Sequence, residues 1–131
     1  MADIKPNFLH VCDYVSFSEG KLNILGVFKS INTNSVPVIH PQMFLVANVR
    51  INKSGKYKQS IKIVNEASQS EIFRQDFDLN IEIPKGKKQA EVGTVAQLNN
   101  INFANYGKYI VQVIVDEKLI DESEIEISKR A

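Results

Sequence analysis

Apolar and polar residues alternate along most of this chain with a period of two. In "IFRQDFDLNIEI" (72–83), Phe73, Phe77, Leu79, Ile81 and Ile83 fall on one side, and Arg74, Asp76, Asp78, Asn80 and Glu82 on the other. A helix would scatter both sets around its circumference, whereas a half-buried strand separates them. Pro84 then stops the strand, because it has no N–H to give to a ladder. "MFLVANVRI" (43–51) puts Met43, Leu45, Ala47, Val49 and Ile51 on one face, "NKSGK" turns the chain, and "YKQSIKIV" (57–64) returns with Ile61 and Ile63 inward. "QAEVGTVAQL" (89–98) alternates in the same way. So does "YIVQVIVD" (109–116), which "DEK" joins to "LIDESEIEI" (119–127) with Ile125 and Ile127 inward.

The first hairpin is "FLHVCDYVSFSEGKLNILGVF" (8–28), turned at "SEGK" (18–21), with Phe8, Leu9, Val11, Val15, Leu22, Ile24 and Phe28 as its core surface. No window sustains apolar residues at i, i+3, i+4 and i+7, although residues 97–106 leave room for a single helical turn. Met43 to Val46 is apolar on both faces, which marks either a central strand or a subunit contact. Seven to nine short strands separated by turn signals argue for an antiparallel all-β fold. A two-sheet sandwich is favoured over a barrel, because several strands keep one strictly polar face.

The 131 residues suit one domain spanning 1–131, long enough to bury a core without staples. A net charge of +1 gives no global field toward nucleic acid or membrane. A single cysteine forms no internal disulfide, so the fold does not depend on an oxidising compartment. The N-terminus lacks the basic start and unbroken apolar run of a secretion signal, and no run approaches the roughly 20 apolar residues of a membrane span. The expectation is a soluble cytoplasmic protein.

Two segments carry a family resemblance: "CDYV" followed by "GKLNILGVF" (12–15 and 20–28), and "YGKYIVQVIVDEKLIDESEIEI" (106–127). Together they resemble a family of short, uncharacterised bacterial and phage-associated proteins, a domain of unknown function. The resemblance implies an immunoglobulin-like sandwich and brings no activity, substrate or catalytic residue. The C-terminal part also looks like the closing hairpin of many sandwich domains, where Gly107 and Tyr109 would be architectural.

Three groups of residues could carry chemistry. His10, Cys12 and Asp13 lie within four positions, but a strand sends His10 and Cys12 to one face and Asp13 to the other. Residues two apart on a strand sit about 6–7 Å apart at Cα, loose for a nucleophile–base pair. A zinc site would need further ligands, for which only His40 and carboxylates remain. The stronger reading makes Cys12 a small buried hydrophobe, with His10 at the face or rim and Asp13 accepting from turn N–H groups. The second group is basic. Arg50, Lys53, Lys56, Lys58 and Lys62 run without an acid, and Lys85, Lys87 and Lys88 follow in a later turn. If those turns meet, they form a rim able to contact anions or a partner. With only Tyr57 as an interleaved aromatic, a base-stacking platform is poorly supported and nucleic acid is not the expected partner. Lysines that simply keep strand edges soluble are the plainer account.

The third group is acidic: Asp116 and Glu117, then Asp121, Glu122, Glu124 and Glu126. The alternation suggests a solvated partner-facing strand rather than a calcium cage. Opposed basic and acidic segments could steer association with a charged partner or with another copy. No phosphate-binding loop, G-x-S-x-G, H-E-x-x-H or C-x-x-C is present. The expectation is a non-enzymatic binding or protein-interaction module with no cofactor or metal, whose partner is another protein or a second copy of itself. The alternative is a structural subunit of a phage-derived or other oligomeric assembly.

Overall fold

The computed structural model describes residues 3–130. Nine strands follow in order: β1 Ile4–Ser18, β2 Lys21–Val27, β3 Ser30–Thr33, β4 Val38–Ile51, β5 Gly55–Asn65, β6 Glu71–Ile81, β7 Ala90–Phe103, β8 Gly107–Val115 and β9 Lys118–Lys129. Among the described residues there is no helix. The strands form two sheets, β2-β1-β4-β7 and β3-β9-β8-β5-β6. The pairing of β1, β4 and β7 opposite β9, β8, β5 and β6 is the immunoglobulin arrangement of A-B-E against G-F-C-C′.

Every ladder is antiparallel but one, so the five-stranded sheet is mixed where an antiparallel fold was expected. β3 runs parallel to β9, with Ser30 opposite Glu126 and Thr33 opposite Lys129. The chain leaves the edge of one sheet at Phe28 and Lys29 and joins the edge of the other without reversing. Four residues are too few for a period-two pattern to reveal this.

Alternation builds the core between the sheets. Leu45, Ile51, Ile61, Ile63, Val111, Val113, Val115 and Ile125 are all fully buried there. Each comes from the inward row of its strand, and each stabilises the fold by roughly 1.5–3 kcal/mol through burial. Tyr109, near the start of β8, packs edge-on against Phe103 at 5.0 Å. Its hydroxyl oxygen accepts from the N–H of Asn105, four residues upstream, at 3.2 Å. That is the tyrosine corner of immunoglobulin-like domains, and it gives Tyr109 the architectural role its position suggested.

The four-stranded sheet changes direction at two places. Asn100 takes a left-handed φ of 55°, opposite Pro41 in a ladder that is intact on both sides. The inward row therefore passes from Leu98 to Ile101 and Phe103, changing parity at the kink. That three-residue spacing is what allowed a helical turn at 97–106, and a strand with one left-handed asparagine replaces it. The second kink faces Asp13, where Gly26 has φ of 70°. A Cβ at Gly26 would lie 2.5 Å from Asp13 Oδ2, so the carboxylate occupies the space a side chain would need. Beyond this kink β1 no longer pairs with β4, and the β1–β2 hairpin covers the outer face of its own sheet.

A second, smaller apolar layer results. Cys12, Val15, Phe44 and Val46 are buried on that outer face, with Phe8, Leu22, Ile24 and Val95 packed around them. This answers the question posed by Met43 to Val46. Met43 and Leu45 face the other sheet, while Phe44 and Val46 face the hairpin.

Candidate functional site

Strand alternation along β1 separates the reactive-looking trio. Cys12 is fully buried in the outer layer, with its thiol 3.8 Å from the carbonyl oxygen of Phe44. Burial raises the thiol pKa above its ordinary value, and the nearby Asp13 charge adds to the rise. A nucleophilic cysteine needs the opposite shift. His10 stacks on Phe8 at 5.5 Å. Asp13 instead borders an open depression of about 260 Å³ with Phe28, Ser30, Ile31 and His40. That convergence of Asp13, Ser30 and His40 was not legible in the sequence. No hydrogen bond links them among the described residues, so the geometry is not that of a proton relay. No group of three or more His, Cys, Asp or Glu side chains among the described residues is arranged to hold a metal ion.

The basic residues divide between two environments. The β4–β5 turn and the loop at 82–89 do meet, because the Ile83 N–H donates to Ser54 Oγ at 3.0 Å. Lys53, Lys85, Lys87 and Lys88 therefore share one end of the sandwich. Arg50 is already engaged there, 3.7 Å from Glu91 and 2.6 Å from Asn7 Oδ1. Lys56, Lys58 and Lys62 point outward from β5, the strand next to the β6 edge of the five-stranded sheet. Lys58 lies between Asp78 on β6 and Asp116 after β8, and the Asp116 carboxylate accepts the Lys58 N–H at 2.9 Å. Two open depressions on this face, about 540 and 470 Å³, are lined by charges of both signs. Beside the second, Ser60 donates to Asp76 at 2.6 Å and Arg74 donates to the same oxygen at 3.1 Å. The Ser60 hydroxyl, with Arg74 second, holds the Asp76 carboxyl below the usual carboxylate range.

The acidic strand is also divided. Glu122, Glu124 and Glu126 are exposed on β9, with Glu124 3.7 Å from Lys108. Asp121 is half-buried on the opposite side, where its Oδ1 accepts the Glu122 N–H at 2.9 Å. Lys29 shares an open depression of about 270 Å³ with Glu122 and Glu124. The outer face of this sheet therefore carries interleaved charges, which resemble solvated surface more than an anion trough or a cation cage.

The most unusual surface lies on the β1–β2 hairpin. Seven large apolar side chains are exposed among the described residues, and four of them are on this one hairpin: Tyr14 (52%), Phe17 (71%), Leu25 (56%) and Val27 (53%). Tyr14 and Leu25 are cross-strand partners. Beside Phe17 and Leu22, a slot of about 110 Å³ opens over Gly93 between the hairpin and Phe8, Val46 and Val95. Tyr14 and Leu25 share one face of the hairpin, while Phe17, opposite Leu22, lies on the other, so the exposed apolar residues flank the edge on both sides. The sequence carried the signal in "LNILGVF" (22–28), seven residues without a charge on a strand that proves to be an edge.

The alkylpurine DNA glycosylase AlkC of Pseudomonas fluorescens, solved with DNA containing an abasic site analogue, matches over 95% of this chain at 14% identity and TM-score 0.56. A β-glucosidase from Listeria innocua in complex with glucose matches over 98% at 10% identity and TM-score 0.50. This chain spans 30% of the glycosylase and 16% of the glucosidase. An immunoglobulin-like protein from Pseudomonas aeruginosa matches over 95% of this chain and 96% of its own, at 8% identity and TM-score 0.47. The glycosylase likeness is one of fold, which by itself transfers no chemistry. No protein with a curated description matches the sequence. The model of a family of unknown function, DUF6941, matches residues 7–128, and the chain belongs to that family.

Proposed function

We propose that the chain is a non-enzymatic protein-interaction domain, working in the cytoplasm, whose contact surface is the β1–β2 hairpin. The observation that carries this reading is the grouping of Tyr14, Phe17, Leu25 and Val27 on one hairpin at the edge of a sheet. A free strand edge offers backbone hydrogen bonds to a partner, and flanking apolar side chains supply the affinity. The other candidate chemistry weighs against an enzyme. Cys12 is buried with a raised pKa, and His10 and Asp13 stand apart from each other. The mixed signs around Lys58 weigh against nucleic acid, which favours an unbroken basic surface.

The test is affinity purification from the native host with the wild-type chain and with Leu25→Lys as bait. Leu25 is more than half exposed, so the substitution leaves the fold intact. The reading expects partners that the variant loses, and an unchanged set of partners overturns it. A structural subunit of a phage-derived or other oligomeric assembly is the second reading, favoured by the same uncharged edge. It expects a discrete higher oligomer in solution.

A further inference from the structure

The outward row of β4 leads from the apolar slot beneath the hairpin into a polar network. Asn48 sits across the sheet between Phe8 on β1 and Gly93 on β7. β1 bulges at this point. Pro6 lies opposite Val49 and Phe8 opposite Asn48, so Asn7 is an extra residue, and its side chain reaches β4. Arg50 donates to Asn7 Oδ1 at 2.6 Å, and Asn7 Nδ2 donates to Asn48 Oδ1 at 3.0 Å. A guanidinium can only donate, so Arg50 fixes which way both amides face. Asn48 Nδ2 is the free end of that chain, 3.7 Å from where a Cβ of Gly93 would stand. Among the described residues nothing accepts from it, and Asn48 lines the slot. The Arg50 charge is only partly balanced, since its Nε is buried without a hydrogen-bond acceptor and Glu91 stands 3.7 Å away. Linked hydrogen bonds polarise one another, so the guanidinium strengthens Asn48 as a donor and favours a charged acceptor.

We propose that this slot binds a short branched-chain carboxylate, with its alkyl group over Gly93 among Phe8, Leu22, Val46 and Val95 and its carboxylate on Asn48 Nδ2. Volume selects the alkyl group. The slot holds about 110 Å³, less than the roughly 150 Å³ cavity that accepts benzene, so it takes a branched alkyl group of about four carbons rather than an aromatic ring. Gly93 makes the room, because the nearest atom to a Cβ there is the Asn48 amide itself. Apolar walls with one convergent donor are the usual make-up of a small-ligand site. The slot lies on the opposite face of the hairpin from Tyr14 and Leu25, so this site is independent of what that face meets.

The isotope-labelled full chain is titrated with isovalerate at neutral pH, and its amide resonances are followed by NMR. Saturable shifts are expected at Leu22, Gly93 and Val95 and at the side-chain amide of Asn48. Acetate lacks the alkyl group and isoamyl alcohol lacks the charge, and each binds about tenfold more weakly. Gly93→Ala fills the floor of the slot at an ordinary contact distance. It keeps the wild-type circular dichroism spectrum and thermal midpoint and weakens isovalerate about tenfold. Asn7 is a positioning residue. Asn7→Ala cuts the link from Arg50 to Asn48, so it removes the preference for isovalerate over isoamyl alcohol and leaves the affinity for the alcohol unchanged. Lys62→Glu, on the outer face of the other sheet, changes neither. Shifts that are absent at millimolar isovalerate, that acetate reproduces at the same concentration, that persist undiminished in a folded Gly93→Ala, or that vanish with Lys62→Glu overturn the proposal. An Asn7→Ala variant that keeps the full preference for the acid overturns the assignment of a carboxylate.

Discussion

The four-stranded sheet is apolar on both sides, and its two layers differ in how they are closed. The inner layer is sealed by a whole second sheet, and residues such as Leu45, Ile51 and Ile61 have no exposure at all. The outer layer is covered only by the folded-over β1–β2 hairpin. Its buried members are few, and its cover leaves Phe17, Leu25 and Val27 more than half exposed. An apolar layer of the first kind sets global stability. One of the second kind is a local unit that can open, or be completed by a partner, without unfolding the sandwich.

The largest expected effect lies in the inner layer. Leu45→Ala should cost about 2–5 kcal/mol, the range for deleting a fully buried leucine side chain, and chemical denaturation should show one cooperative transition. Loss of cooperativity would mean that the inner layer is not one unit. Next comes the hinge of the outer layer. Gly26→Ala forces a left-handed alanine and a clash with Asp13, for about 1–3 kcal/mol. Hydrogen exchange should place the loss in β1 and β2, and removing the carboxylate with Asp13→Gly should recover part of it. Val15→Ala, within the layer, should cost about 1–2 kcal/mol from two lost methyl groups and should speed exchange in the hairpin alone. Equal acceleration in β5 and β8 would show that the two layers are not separable.

The smallest effect is a pH dependence. Burial raises the Cys12 pKa, so the folded chain holds its thiol proton more tightly than the unfolded chain does. Its contribution is complete below the unfolded thiol pKa of about 8.5 and falls as pH rises through the folded value. The stability difference between the wild type and Cys12→Ser should therefore be constant up to about pH 8 and shrink above it. A difference that holds steady to pH 10 would mean that the thiol is not buried.

The same contrast explains what could be read from the sequence. The inner layer follows a period of two, and Met43, Leu45, Ile61, Val111 and Ile125 announce it directly. The period breaks at single residues that take left-handed backbone, Gly26 in the hairpin that covers the outer layer and Asn100 within the inward row itself, and alternation carries no mark of such a break. Gly26 reads as one more glycine in a strand, and its partner Asp13 lies thirteen residues away. Asn100 placed Leu98 and Ile101 at a helical spacing inside a strand. Only Phe44 and Val46, apolar where a wet face was due, betrayed that something covers the sheet. Of the candidate sites, the split of Cys12 from Asp13 followed from strand parity. The placing of Lys58 opposite Asp78, and of its N–H against the Asp116 carboxylate, depends on cross-strand register, which local sequence does not specify.

The most direct measurement is amide hydrogen exchange in rising denaturant, resolved to β2 and to β8. If the hairpin is a local unit closed separately from the core, the amides from Leu22 to Val27 exchange through an opening of lower free energy than those of β8. Amides of β2 and β8 that exchange with the same free energy and the same denaturant dependence would contradict the account.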